Sequence, residues 1–178
     1  MPESNTQTNK QPDPVIEPEP EPEPIGVDVS IQHSIELSED RIREICTAIL
    51  KDHDWSHGEI SIAVVDDPTI HELNRQYLDH DYGTDVLSFV LEKNEQQRLL
   101  VGEVIISADT AQTSGDEVGV DVVDELLLYL IHGMLHLVGF DDKDPAKREA
   151  MREAEQDYTS RFGISYSCPD DQDDGGQS

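Results

Sequence analysis

Two histidines four residues apart, His132 and His136, precede a pair of aspartates in Ile131-His132-Gly133-Met134-Leu135-His136-Leu137-Val138-Gly139-Phe140-Asp141-Asp142. On a helix, positions i and i+4 share a face, so both imidazoles can aim at one point while Leu135 and Val138 turn toward a core. Gly139 stands where the chain must leave the helix, because glycine takes a left-handed C-terminal conformation cheaply, and the turn carries Asp141 and Asp142 back toward the pair. Two imidazoles and one carboxylate make three protein ligands, which leaves a zinc-like ion an open position. The expected metal set is His132, His136 and Asp142.

A histidine pair at helical spacing is more often a solvated or satisfied core pair than a ligand set. Three features favour a metal here. Leu127, Leu128, Leu130 and Ile131 make the helix apolar nearly all round, so it is expected to be buried, where polar groups need partners. The glycine sits at the turn. The spacing H-x-x-x-H-x-x-G-x-x-[H/D] resembles the metzincin pattern without its glutamate. In H-E-x-x-H proteases the glutamate beside the first histidine is the general base, and here that place is Gly133, so peptide hydrolysis by that route lacks its base.

The elements that must position these residues can be read from periodicity. Residues 27–32 alternate apolar and polar, as a strand with one buried face does. Ser38 can cap a helix with Glu39 and Asp40 in its first turn and Ile42, Ile45, Cys46, Ile49 and Leu50 inward. Residues 59–65 read as a second strand, after a loop whose His53 and His57 are expected to be solvated. Asp67-Pro68 reads as a cap followed by proline, with Ile70, Leu73, Asn74 and Tyr77 as an inner face. A turn through residues 80–83 feeds a strand in which Asp85 and Ser88 are polar among apolar neighbours, either exposed or placed beside the metal. Residues 99–107 form a further strand, in which Gly102 suggests a bulge or the close approach of another backbone. A helix from Ser107 to about Gly115 follows, then the long apolar helix from Asp121. Asp144-Pro145 opens a charged helix that stops at Gly163, and its Lys147, Arg148, Arg152 and Arg161 are expected to pair with acids on the same helix.

Composition bounds the function. The 178 residues suit one domain, residues 27–166, between an acidic proline–glutamate tail at 1–26 and an acidic tail at 167–178, both expected to be disordered. Net charge is −28, and residues 27–166 alone hold 30 acids against 11 bases, or −19. Such a surface repels phosphate backbones unless a local basic patch or abundant salt intervenes. Adaptation to a saline interior is an alternative cause. The two cysteines, Cys46 and Cys168, match no C-x-x-C motif, which suggests a reducing compartment. Without a signal-like or membrane-spanning apolar run, the expectation is a cytoplasmic protein with no membrane partner.

Two blocks together, Leu73-Asn74 through Thr84-Asp85-Val86-Leu87-Ser88-Phe89 and His132 through Asp141, resemble the YbeY family of bacterial metal-dependent endoribonucleases. The segment Val101-Gly102-Glu103-Val104-Ile105-Ile106 resembles the family's L-G-D-[IV]-x-I strand, and the likeness covers residues 27–165. It implies an α+β fold, a small mixed sheet packed against helices, with one zinc ion bound from the helix and the following turn. It also implies cleavage of single-stranded RNA, 16S ribosomal RNA 3′-end maturation and quality control, with ribosomal RNA and the small ribosomal subunit as partners.

By position, His132 and His136 match the first two histidine ligands. Asp142 stands where the family has a third histidine, Leu78 where it has an arginine, and Val90 where it has a proline. A carboxylate can ligate zinc. Leucine cannot hold a phosphate, so Arg75, one turn earlier, and Ser88 are the RNA-binding candidates. Asp85, Asp141 and Glu103 are candidate proton acceptors, with Asp141 alternatively orienting a ligand. The competing readings are a ribosome-assembly protein with a structural metal and, more remotely, a non-haem iron oxygenase.

Overall fold

The computed structural model describes residues 10–18, 25–78 and 84–166. Their elements, in chain order, are β1 (Gly26–Ile31), α1 (Glu39–Asp52), β2 (His57–Val65), α2 (Asp67–Leu78), β3 (Val86–Asn94), β4 (Leu99–Ser107), α3 (Ala108–Val118), α4 (Val122–Leu137) and α5 (Pro145–Phe162). The expected turn at 80–83, the Leu78 side chain and residues 167–178 lie outside the described part. The expected α+β architecture with a small mixed sheet is what forms: the strand order is β1-β2-β4-β3, with β1, β2 and β4 parallel and β3 antiparallel to β4.

Alternation along the strands sorts the core into two layers. Ile60, Ile62, Val64, Leu100, Val104 and Ile106 face α1 and α4, where Ile45, Cys46, Ile49, Leu130, Ile131, Met134 and Leu135 complete the larger cluster. Val65, Leu87 and Ile105 face the other way, against Ile70 and Leu73 of α2. The sheet therefore separates α4 from α2. Among the described residues no helix is long and apolar enough to cross a membrane.

Helix starts follow the side chains named from sequence. Ser38 Oγ accepts from Arg41 N, and Asp121 and Asp144 do the same for Val123 and Lys147. The start of α2 differs from expectation. Asp66 accepts from Thr69 N at 2.9 Å, so it rather than Asp67 is the cap. The Asp67 carboxylate instead accepts from the Ser107 and Thr110 hydroxyls at the head of α3. Tyr77 also departs from its expected inward place. It is 67% exposed and leans on Phe89, with ring centroids 5.9 Å apart.

Gly102 answers a packing demand from α4 and β3. A side chain there would begin 3.0 Å from Leu137 Cδ2 and 3.1 Å from the Phe89 carbonyl oxygen. The bulge lies on the opposite strand, between Val90 and Glu92 of β3.

Candidate metal centre

α4 delivers the two histidines from a helix that the core grips on most sides: Leu130, Ile131, Met134, Leu135 and Leu137 are each at most 1% exposed. Gly133 is the point of closest approach to the sheet. A Cβ there would lie 2.6 Å from Val104 Cγ1 and 3.0 Å from both Ser88 Oγ and Val86 Cγ2. The place where a metzincin carries its glutamate therefore faces β3 and β4 and has no room for a side chain. Ser88 fastens this contact, its hydroxyl donating to the Gly133 carbonyl at 3.0 Å.

The helix ends as the glycine predicts. Gly139 has φ +115°, and Phe140 N donates back to Leu135 O at 2.9 Å. Asp141 then folds the next residues: its Oδ1 accepts from the backbone N–H of Asp142 at 2.7 Å and of Lys143 at 3.2 Å. This turn brings Asp142 Oδ2 to 3.7 Å from His132 Nε2 and 3.8 Å from His136 Nε2. The two Nε2 atoms are 3.1 Å apart, with ring planes at 80°.

Hydrogen bonds on the far side of each ring fix its tautomer. His136 Nδ1 lies 3.1 Å from the Phe140 carbonyl oxygen, which can only accept, so Nδ1 carries the proton. His132 Nδ1 lies 2.5 Å from Glu155 Oε1, a carboxylate from α5 that is 3% exposed. Both Nε2 lone pairs are thus left facing one another and a carboxylate oxygen. Such a convergence needs a cation at its centre, a proton or a metal ion. Four donors about 2.0–2.1 Å from a tetrahedral zinc stand about 3.3–3.5 Å apart, and the observed separations bracket that spacing. His132, His136 and Asp142 form the group that could hold a metal, the only such group among the described residues. The histidine side chains keep 27% and 30% of their surface, so solvent reaches the centre.

Charge around the rings divides the pair. Burial pulls the His132 pKa down, but the hydrogen bond and charge of Glu155, with Asp85 and Asp142 behind it, outweigh burial and the net shift is upward. His136 shifts downward, through burial and then through the positive charge of His132, with Asp142 opposing.

The other candidates fall in different places. Asp85 is exposed at the start of β3, close enough for its charge to act on His132. Arg75 lies on α2, across the sheet from α4, with its Nη2 2.8 Å from Glu72. Glu103 alternates with Gly102 and Val104 along β4 and so lies on the α2 side of the sheet. His53 stands edge-on to Phe140 at 5.4 Å, and His57 Nδ1 meets Ser56 Oγ and Gln97 O. On α5, Arg161 pairs with Asp52 and Lys147 with Asp141 and Asp144 rather than following the expected same-helix pattern with glutamates.

Glu155 is the residue that sequence reasoning missed. In a charged helix it reads as one more surface acid, yet it is buried against His132. Its one sequence signal is position: Met151, Tyr158 and Thr159, three or four residues away, mark the face of α5 that turns inward.

Comparison with known proteins gives the family. The family model described as Endoribonuclease YbeY matches residues 28–163. A protein named Endoribonuclease YbeY from Salinibacter ruber is 37% identical over 139 residues, covering 73% of this chain and 88% of that one. Its namesake from Rhodopirellula baltica is 36% identical over 141 residues, covering 78% of this chain and 72% of that one. The solution structure of TM1509 from Thermotoga maritima shares the fold, with a TM-score of 0.54 and 23% identity over 85% of this chain and 99% of that one. The chain belongs to the endoribonuclease YbeY family.

Proposed function

We propose that this chain is a zinc-dependent endoribonuclease that cleaves single-stranded RNA. Its place is in the cytoplasm, in 16S ribosomal RNA 3′-end maturation and quality control of the small ribosomal subunit. The observation that carries the proposal is the convergence of two Nε2 lone pairs and Asp142 Oδ2 on one solvent-reached point, with both Nδ1 atoms already partnered. Family membership supports the substrate class, since the relatives are named as endoribonucleases.

Zinc would be held by His132, His136 and Asp142, and would supply Lewis acidity toward a phosphoryl oxygen and acidify water. The chain's own groups do the rest. Glu155 and the Phe140 carbonyl hold the imidazoles with their Nε2 atoms forward. Asp141 has its Oδ1 engaged by two backbone N–H groups, so it shapes the turn that presents Asp142. Asp85, exposed and within electrostatic reach of His132, has its Oδ1 engaged by Val86 N at 2.9 Å, which leaves Oδ2 as the oxygen that would take a proton beside the metal.

A second reading, a ribosome-assembly factor whose metal is structural, has the acidic surface in its favour: a net charge of −28 opposes RNA approach. Purified protein and His136→Ala, assayed on single-stranded and structured RNA with elemental analysis of both, separate the two. Zinc and single-strand cleavage, both lost in the variant, support the nuclease. Absence of cleavage from both proteins, with a lowered melting temperature in the variant, supports the assembly factor.

A further inference from the structure

We propose that Lys93, Lys143 and Arg148 form a rim around the metal turn that seats the phosphates of a single-stranded RNA, an inference that rests on the ribonuclease reading above. The chain holds 12 basic residues against 40 acidic ones, so an exposed cation has carboxylates in abundance to pair with. Arg43 does so with Glu39, Arg75 with Glu72, Arg161 with Asp52 and Lys147 with Asp141, whereas Lys10, Arg41, Lys51, Lys93, Arg98, Lys143 and Arg148 have no carboxylate partner among the described residues.

What sets Lys93, Lys143 and Arg148 apart from the other four is place, since these three gather at one turn. Arg148 is exposed, and its side chain makes a single hydrogen bond, from Nε to the carbonyl oxygen of Asp142 at 3.4 Å. Lys143 is exposed and follows Asp142 directly. Lys93, exposed near the end of β3, puts its Nζ 3.8 Å from where a side chain on Gly139 would begin, and 5.2 Å from the Trp55 ring centroid. Three different elements thus bring positive charge to the segment 139–142: β3, the turn itself and α5.

The occupant follows from charge and place. Screening confines each surface charge to about 10 Å at 0.1 M salt, so phosphates near the triad feel these cations together with Asp85 and Asp141, and little of the acids elsewhere on the chain. A phosphodiester brought to His132, His136 and Asp142 carries neighbouring phosphates on either side. A rim on the triad's own turn is placed to hold them, which an acidic protein partner would not require.

The test uses the zinc-loaded full chain and a labelled single-stranded RNA, with binding read by anisotropy and cleavage on gels. The rim variant carries Lys93→Gln, Lys143→Gln and Arg148→Gln, and a charge-matched control carries Lys10→Gln, Arg43→Gln and Lys51→Gln. The rim variant is expected to bind about tenfold or more weakly, with a salt dependence shallower by about two log units per log unit of salt, at about 0.7 for each phosphate no longer neutralised. Its zinc content and melting temperature stay those of the parent, and the control binds as the parent does. The double variant Lys93→Gln/Lys143→Gln keeps the Arg148 bond to Asp142 and is expected to fall between. Equal weakening in rim and control variants, or full affinity in the rim variant of a protein that cleaves RNA, overturns the rim alone. If the parent protein neither binds nor cleaves RNA, the ribonuclease reading falls and the rim with it.

Discussion

Glu155 Oε1 lies 2.5 Å from His132 Nδ1, joining α5 to the metal-facing helix across 23 residues of sequence. A carboxylate behind a ligand histidine fixes the ring and strengthens its donor nitrogen, and losing such a partner typically costs about 10–100-fold in metal affinity. Glu155→Gln should weaken zinc binding by that order in a chelator competition. An unchanged affinity would leave Glu155 with a packing role only.

Gly133→Ala should destabilise the protein although alanine favours helices. The added methyl meets Val104 Cγ1 at 2.6 Å, and overpacking of a filled core costs about 1–3 kcal/mol. Alanine's better helix propensity offsets about 1 kcal/mol of that. The denaturant midpoint should therefore drop. Gly133→Glu, which restores the H-E-x-x-H pattern on paper, should unfold the site rather than yield a protease; a folded, peptide-cleaving variant would refute the packing argument.

In the zinc-free protein, His132 should release its proton above the ordinary histidine value of about 6.5 and His136 below it. For His132 the raised folded value means its contribution to stability is full below the unfolded pKa and is lost as pH rises through the folded one. For His136 the sign is reversed: its neutral form is favoured by folding, so its contribution is lost as pH falls. Zinc needs both Nε2 atoms unprotonated, so occupancy should fall as pH drops through the raised His132 value. Imidazole NMR titrations would read both groups, and a single shared midpoint would contradict the division.

Salt should stabilise this protein. With a net charge of −28, self-repulsion weakens as the screening length contracts from about 30 Å at 0.01 M to about 3 Å at 1 M. The melting temperature should climb over that range. A flat profile would remove the saline-interior explanation of the acidic surface.

The i,i+4 ligand pair and the glycine turn were legible because helix geometry alone determines what shares a face. The caps at Ser38, Asp121 and Asp144 were legible for the same local reason. Glu155 was not, because its burial depends on α5 docking against α4, and an acid in a charged helix resembles its solvated neighbours. Gly133 was legible as a missing base but not as a contact point, since the approach of Val104 and Ser88 is a tertiary fact. Asp67 shows a third kind of limit. Its acceptor chemistry was clear, but the hydroxyls it serves stand about forty residues away, on Ser107 and Thr110.

Placing the ring-orienting carboxylate on α5 has a consequence for biosynthesis. A growing polypeptide presents both imidazoles and Asp142 before Glu155 has been joined to it. A translation product cut short after residue 142 keeps the whole recognisable motif yet has nothing behind His132, so ligand orientation arrives only when the later helix has been made and has docked.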